Sequence, residues 1–360
     1  MLQAPTARAE DHQVGGVVRT GHPPRPSPDP RQRWVRRVDR RPVVTYLHGT
    51  ELKVVEDIRR GVPDRWLYAE EWDRRLVVAA RQADRVIVIS PTDRQLAVDL
   101  PGLDPDRIEI VPNGVDTTAF SPSGFSQPDR LARWRRWLVD QSQGWDESGE
   151  PGTIAHTNED IDCAFVEPDT GRLDPALLLV GRFLDFKRVP LLILAYAALR
   201  EALGKDAPPL VIWGGYSGEW EGEHPRTVTT STGVDGVFFV GWHGHDELAI
   251  GFNCADVFVA PSVAEPFGQV YLEAMACGLP VIATKSGGPP SFVNTNPDRP
   301  NGWLVAPDDT SELTVVLIEA ATETKSRTER GQCARRTVVE GFDWLRIADQ
   351  VEGVTRQILA

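Results

Sequence analysis

Two cations on one short loop are the first residues here whose types and spacing could do chemistry. The apolar run 177–182 predicts a buried strand and 189–203 predicts a helix, so Arg182 and Lys187 lie close to the connection between them. Free N–H groups at a helix start add partial positive charge, and the combination suits a diphosphate without a bound metal. Only five of the 39 basic residues are lysines, which makes a lysine at this position informative. A solvated basic loop is the alternative that this segment alone leaves open.

Two glutamates eight residues apart form a second candidate site. Glu265 follows a predicted strand ending at Ser262, and Pro266 suits the first turn of a helix, so Glu265 is expected near that helix start. Eight residues turn a helix by about 800°, roughly 80° beyond two full turns. Glu265 and Glu273 therefore do not face one point as an acid/base pair would, but can hold two parts of one hydroxyl-rich ligand. The backbone N–H groups between them belong to Phe267, Gly268 and Gln269. The alternative is charge that complements the helix dipole, with Glu273 on a solvated face.

Histidines supply the remaining candidates. His48 ends a predicted strand, 42–47, and precedes a glycine, so it is expected to be exposed at a strand mouth. His243 and His245 have a spacing that suggests a metal, but no further ligand cluster fits, and no metal site is predicted. The Asp-x-Asp triplet 160–162 has no strand context and is interpreted as chance.

The elements that must position these residues alternate regularly in the C-terminal half. Short apolar runs alternate with amphipathic helices, which predicts a parallel sheet covered on both faces. The predicted strands are 177–182, 209–213, 237–240, 255–260, 280–284 and 302–307. Ligands bind outside the carboxyl ends of such strands. The residues at those ends are Arg182, Gly214, Gly241, Ser262 and Gly287.

The N-terminal half predicts fewer elements. Strands are expected at 42–47, 84–90 and 107–111, with a helix over 69–83 and a capped helix start at Ser90. Residues 121–174 are polar and rich in glycine, proline and aspartate, and predict a linker carrying an insertion with one helix near 129–140. Residues 1–40 hold six prolines and eight arginines, and predict a disordered segment or surface strap.

Charge and composition exclude several classes. A net charge of -13 argues against general nucleic-acid binding. No run of about 18 apolar residues is present, so no transmembrane segment is predicted. Four widely separated cysteines and the lack of an apolar leader favour a cytoplasmic protein. A protein partner, or peripheral contact of the basic N-terminal arm with acidic lipid, stays open.

Taken together, these motifs resemble family 4 glycosyltransferases of the GT-B fold. The resemblance is carried by Arg182 with Lys187, by the Glu265-x7-Glu273 spacing and by the linker 111–116 (VPNGVD), and it runs from about residue 45 to 344 except the insertion. It implies an α/β protein of two Rossmann-type domains facing across a cleft. It also implies a nucleoside-diphosphate sugar as donor, retention of anomeric configuration, and no cofactor or metal.

The resemblance implies a role for each candidate residue. Arg182 and Lys187 would neutralise the diphosphate as it leaves. Glu265 would hold hydroxyls of the transferred sugar, with help from the backbone of 267–269, and Glu273 would accept from the ribose hydroxyls. The other candidates are His48, implied near the sugar and phosphate, and Gly241 and Trp242, which fall where the family's base-contacting loop lies.

The predicted organisation is a partial acceptor-side domain at 41–120, the linker and insertion at 121–174, and a nucleotide-sugar-binding domain at 175–342. A C-terminal helix at 343–360 is expected to pack back toward the N-terminal domain. Only about 40 residues precede the His-Gly strand and they do not predict βα units, so the N-terminal domain is expected to be truncated.

The predicted function is transfer of a hexosyl group to an unknown saccharide, lipid or small-metabolite acceptor. Two alternatives stay open: a catalytically incomplete protein that binds nucleotide sugar or partners a full transferase, and a sugar phosphorylase on the same scaffold. A dinucleotide oxidoreductase is disfavoured, because no strand ends in Gly-x-Gly-x-x-Gly.

Overall fold

The computed structural model describes residues 42–61 and 68–359. The predicted disordered segment 1–40 lies outside this range. Within it, the strands form two parallel sheets, one in each half of the chain. None of the described helices is both long and apolar enough to cross a bilayer.

The N-terminal unit is built from β-branched strands with helices between them. The strands β1 (Val44–Leu47), β2 (Arg85–Val88) and β3 (Ile108–Ile110) pair in parallel in that order. The helices are α1 (Thr50–Arg59), α2 (Ala69–Gln82) and α3 (Pro91–Asp99). The predicted helix start at Ser90 is present, because its side chain accepts from the Asp93 N–H at 3.1 Å and Pro91 occupies the first turn.

The segment 121–174 differs from the predicted linker. It contains α4 (Gln127–Arg135), a π-helical turn (Arg136–Asp140) and α5 (Asn158–Phe165). Trp134, Trp137 and Trp145 are each 1% exposed and join the core clusters of the C-terminal unit. Burial of aromatic side chains on this scale outweighs the polar composition that suggested a loop. This segment is therefore part of the core of the C-terminal unit.

The C-terminal unit is a six-stranded parallel sheet. Its strands are β4 (Leu177–Val180), β5 (Leu210–Trp213), β6 (Val237–Gly241), β7 (Val257–Val259), β8 (Val281–Thr284) and β9 (Gly302–Val305), in the order β6-β5-β4-β7-β8-β9. Its helices are α6 (Val189–Leu203), α7 (Pro225–Thr232), α8 (His245–Cys254), α9 (Gln269–Ala276), α10 (Thr310–Thr322) and α11 (Thr324–Gly341). The strands are almost entirely buried, as expected for a sheet covered on both faces.

The last helix, α12 (Trp344–Leu359), returns to the N-terminal unit. Its Ile347 and Val354 pack with Ile87 and Val111 of the N-terminal sheet. The Thr117 hydroxyl donates to the Asp343 carboxylate at 2.5 Å just before the helix begins. The two units are thus joined by the linker and by this helix.

Candidate active site

The loops that follow β4 and β7 meet at the carboxyl edge of the six-stranded sheet. These strands are neighbours, so their carboxyl ends lie side by side. Lys187 Nζ lies 2.5 Å from Glu265 Oε2, and the two side chains are only 14% and 12% exposed. A cation and a carboxylate from separate loops therefore share one partly enclosed crevice, which we call the donor crevice.

The β4 loop is short and anchored at one point. A single helical turn over 185–187 precedes Arg188, whose left-handed φ of +54° starts α6. Phe183 is buried at 3% exposure and holds the loop to the core. Arg182 is exposed, and within the described residues its guanidinium has no hydrogen-bond or ion-pair partner. Its charge is therefore free to meet an anionic ligand.

The turn carrying Glu265 depends on two glycines that follow β8. The Gly288 N–H donates to the Glu265 carbonyl at 2.9 Å, and a Cβ at Gly287 would lie 2.2 Å from that oxygen. Gly268 has a φ of +99°, which ends the turn, so α9 begins at Gln269 and not at Pro266 as the sequence predicted. Glu265 consequently projects from a tight loop ahead of the helix.

Three predicted donor-binding residues do not present their side chains to the donor crevice. Ser262 is 0% exposed, and its carbonyl accepts from the Thr284 hydroxyl at 2.5 Å. Phe267 is 3% exposed and lies in the core. The Gln269 amide donates to the Gly114 carbonyl of the interdomain linker at 2.6 Å. Their side chains stabilise the loop and join the two units. A sugar in the donor crevice could therefore contact these three residues only through their backbone groups.

Glu273 lies on α9 and faces α8. It is 8% exposed, and His245 Nε2 lies 3.5 Å from its Oε1. Burial raises the pKa of Glu273, while the nearby His245 acts in the opposite direction. The two glutamates thus have different partners, Lys187 and His245. The predicted 80° rotation between them assumed one helix for both residues, and Glu265 lies ahead of α9.

An aromatic pair lies at the β5 and β6 end of the same edge. Trp242 and Tyr216 are each 56% exposed, with ring centroids 6.0 Å apart in an edge-to-face arrangement. Tyr216 was not predicted from the sequence, where it follows a Gly-Gly pair without a motif of its own. Gly241 has a φ of +79°, and a Cβ there would lie 2.0 Å from the Gln143 carbonyl oxygen. Close backbone approach therefore requires glycine at Gly241, whatever its part in binding.

The N-terminal unit presents His48 opposite the Glu265 turn. His48 is exposed and stacked on Tyr46 with centroids 4.4 Å apart. A Cβ at Gly49 would lie 2.7 Å from Pro266 Cβ, which shows how closely the two units approach. Asp93, which the sequence did not predict, is buried beside Gly49, and burial raises the pKa of its carboxyl to about 6.

Among the residues that the structure describes, no group of three or more potential ligands could hold a metal ion. His243, which has a metal-like spacing with His245, instead lies 3.4 Å from Glu247 through Nδ1.

Comparison with known proteins matches both halves of the chain. Glycosyltransferase Family 4 matches residues 8–119, and Glycosyl transferases group 1 matches residues 169–337. The first match begins inside the segment predicted as disordered. Truncation of the N-terminal domain stays a prediction.

Curated relatives resemble the chain over part of their own length. D-inositol 3-phosphate glycosyltransferase of Salinispora arenicola is 30% identical over 74% of this chain and 53% of its own. Alpha-maltose-1-phosphate synthase of Mycolicibacterium smegmatis is 30% identical over 80% of this chain and 66% of its own. The chain thus spans about half to two thirds of these relatives.

Solved structures share the fold. The Anabaena protein HepE in complex with UDP and glucose superposes with a TM-score of 0.64 at 21% identity, covering 89% of this chain and 73% of its own. Sucrose-phosphate synthase of Thermosynechococcus elongatus gives 0.63 at 25% identity, covering 88% and 67%. The two sequence matches, the superpositions and the arrangement of the donor crevice agree. The chain belongs to the family 4 glycosyltransferases and has their GT-B fold.

Proposed function

We propose that this protein transfers a hexosyl group from a nucleoside-diphosphate sugar to a hydroxyl-bearing acceptor, with retention of anomeric configuration. The observation that carries the proposal is the 2.5 Å contact between Lys187 and Glu265. It joins a phosphate-binding group and a sugar-binding group in one crevice, with the exposed Arg182 on the same loop as the lysine.

The strand order supports an orientation for the donor. Along the carboxyl edge come first the aromatic rings of the β6 and β5 loops, then Arg182 and Lys187 after β4, then Glu265 after β7. Neighbouring strands lie about 4.8 Å apart, so the distance from β6 to β7 is roughly 14 Å. An extended nucleoside-diphosphate sugar can span that distance. Its base would lie at the rings, its diphosphate at the cations and its sugar at Glu265.

Each group then has a physical task. Arg182 and Lys187 stabilise the negative charge that develops on the departing diphosphate, and such preorganised charge is often the largest contribution to catalysis. Glu265 accepts hydrogen bonds from sugar hydroxyls and fixes the reacting carbon beside the cations. His48, across the cleft, faces the same turn from the acceptor side.

The relatives suggest where a substrate search should begin. HepE was solved with UDP and glucose, and the name of the Salinispora relative specifies an inositol 3-phosphate acceptor. UDP-glucose, GDP-mannose and ADP-glucose as donors, each with and without D-inositol 3-phosphate or simple sugars, form the first panel.

Replacing either member of the central ion pair tests the proposal. We expect Lys187→Ala and Glu265→Ala each to lower the transfer rate by roughly 10²-fold, the cost of losing one preorganised polar contact at the reacting centre. Release of nucleoside diphosphate in a coupled assay measures the rate. Lys285→Ala is the matched control: it follows β8 and pairs with Glu312 at 2.8 Å, 53% exposed, and should keep its rate. Unchanged rates in both crevice variants would refute the assignment.

The two alternative functions predict different outcomes when the same protein is assayed with nucleotide sugars. Nucleotide sugar that binds without turnover, with any acceptor, would favour a catalytically incomplete protein. Release of sugar phosphate that requires added inorganic phosphate would favour a phosphorylase.

A further inference from the structure

The added segment between the two family matches contacts the aromatic end of the donor crevice. Residues 120–168 lie outside both family matches, so neither match accounts for this part of the chain. Its core is buried: Trp134 and Trp137 are each 1% exposed, with ring centroids 5.4 Å apart. A buried, well-packed element of this kind can fix whatever it touches.

The segment is tied first to the β6 loop that carries Trp242. Backbone pairing joins Gln143 to Gly241, immediately before the tryptophan. The Trp137 indole donates to Glu247 Oε2 at 2.6 Å, and Arg136 reaches the other oxygen of that carboxylate at 3.0 Å.

Glu247 in turn contacts the β6 loop that carries Trp242. Its Oε2 lies 3.4 Å from Nδ1 of His243, the residue next to Trp242. Glu247 is on α8, 23% exposed, and the π-helical turn that supplies Arg136 and Trp137 brings both donors to it. Such π-helical turns frequently occur at functional sites.

The segment is tied equally to the β5 loop that carries Tyr216. The Trp145 indole donates to the Gly215 carbonyl at 3.0 Å, and the Ser217 hydroxyl donates to the Gly149 carbonyl at 2.7 Å. The two residues that flank Tyr216, Gly215 and Ser217, are therefore each hydrogen-bonded to the added segment. The ring itself stays exposed.

We propose that residues 136–153 are a positioning element for the nucleobase end of the donor site, holding Tyr216 and Trp242 so that their rings receive and select the base of a nucleoside diphosphate. This inference rests on the proposed function. Exposed aromatic rings stack on any base, so selection among bases requires that their separation and angle be fixed. The backbone pairing and hydrogen bonds described above hold both loops at the residues next to the two rings in the chain.

A pair of buried tryptophans gives the test. Trp137→Phe removes the indole N–H that reaches Glu247, while Trp134→Phe removes an equally buried indole from the same core whose N–H has no such partner among the described residues. We expect Trp137→Phe to raise the Kd for the preferred nucleoside diphosphate at least about fivefold, the low end of what one base–aromatic stack contributes. The Kd values for UDP, GDP and ADP should also differ less from one another in this variant than in the unmodified protein.

The readouts separate positioning from general destabilisation. Calorimetric titration with UDP, GDP and ADP gives Kd, donor turnover gives KM and kcat, and thermal unfolding gives Tm. The proposal expects KM to rise and kcat to hold for Trp137→Phe, with Glu247→Gln behaving alike and Trp134→Phe unchanged in base preference. Equal effects of the two tryptophan variants, or an unaltered base preference in Trp137→Phe and Glu247→Gln, would overturn it. If the unmodified protein binds no nucleoside diphosphate, the proposed function itself fails.

Discussion

Burial of the Glu273 carboxylate should destabilise the fold, although the residue has a proposed role in binding the ribose of the donor. At 8% exposure its carboxylate is largely desolvated, which raises its pKa above the ordinary value. The folded state then holds the proton more tightly than the unfolded state, so the ionised group destabilises the fold above that pKa, and the penalty vanishes as the pH falls below about 4.3.

We therefore expect Glu273→Gln to raise Tm at pH 7–8, with the gain disappearing near pH 4. The same change should weaken nucleoside-diphosphate binding about tenfold, because a hydrogen bond to a charged group contributes about 1.5–3 kcal/mol. Thermal unfolding across pH and calorimetric titration measure the two effects. Glu352→Gln, which changes an exposed carboxylate on α12, is the control and should show neither. A Tm gain without loss of affinity would remove Glu273 from the site.

The sequence predicted that Lys187 and Glu265 would share a crevice, because the carboxyl ends of parallel strands lie at one edge. Tyr216 and Asp93 were not predicted. Tyr216 matters through its exposure beside Trp242, and Asp93 through burial at the contact between the units. Neither property can be obtained from residue type and spacing alone, since both depend on what packs nearby.

At the scale of elements, regular alternation located the parallel sheet, and the predicted helix over 189–203 was confirmed at Val189–Leu203. The segment 121–174 is predicted as a linker carrying an insertion with one helix near 129–140, and a helix with its π-helical continuation is present at 127–140. Its burial against the C-terminal sheet is not predicted. Trp134 and Trp137 are three residues apart on α4 and the π-helical turn, but residue type and spacing do not show what packs against them. Burial of Trp134 and Trp145 is decided by tertiary packing against the sheet.

The added segment also makes stability depend on pH. His156 is half-buried, and its Nε2 accepts from the Phe239 N–H of β6 at 3.4 Å. Burial lowers the pKa of His156 to about 4. Since the unfolded histidine takes up a proton near pH 6.5, stability should be lost progressively as the pH falls from about 6.5 to 4.

We expect this loss to reach up to about 3 kcal/mol, because one pKa unit corresponds to about 1.4 kcal/mol. His156→Gln keeps an acceptor for the Phe239 N–H but cannot titrate, so its unfolding free energy should vary less over this interval. Urea unfolding at pH 7.5, 6.5, 5.5 and 4.5 provides the comparison. Parallel curves for the two proteins would show that another group, such as the buried His224 whose pKa is also lowered, controls the acid response.

At the scale of the whole molecule, the sequence predicted two α/β units and a returning C-terminal helix by family resemblance. The contacts that set the distance between the units could not be predicted, because they join residues more than 100 positions apart. Thr92 donates to the Gly287 carbonyl at 3.3 Å, and Gln269 donates to Gly114. These contacts bring His48 to the Glu265 turn.

Gly49 offers a direct test of whether that approach matters for catalysis. Its φ is +83°, and a Cβ would lie 2.7 Å from Pro266 Cβ, so Gly49→Ala must push the His48 loop away from the Glu265 turn. The clash is with Pro266, next to the proposed sugar-binding Glu265, whereas the groups proposed to bind the base and the diphosphate lie on other loops of that unit. We therefore expect kcat to fall by roughly tenfold or more, since small misplacements at a reacting centre have large effects on rate, while Kd for the nucleoside diphosphate holds.

Gly61→Ala is the matched control for this change. Gly61 has a similar left-handed φ of +67°, but none of the residues that the structure describes has an atom within 4 Å of its added Cβ. The two variants thus carry comparable backbone strain and differ in what the added Cβ meets, which at Gly49 is Pro266 of the other unit and, at 3.2 Å, Asp93 Oδ1 of its own unit. Steady-state kinetics should separate them, with kcat reduced only in Gly49→Ala. Equal kcat values in Gly49→Ala and Gly61→Ala would mean that backbone strain, and not the spacing between the units, accounts for any loss of rate. The reaction would then tolerate a wider cleft than this structure has.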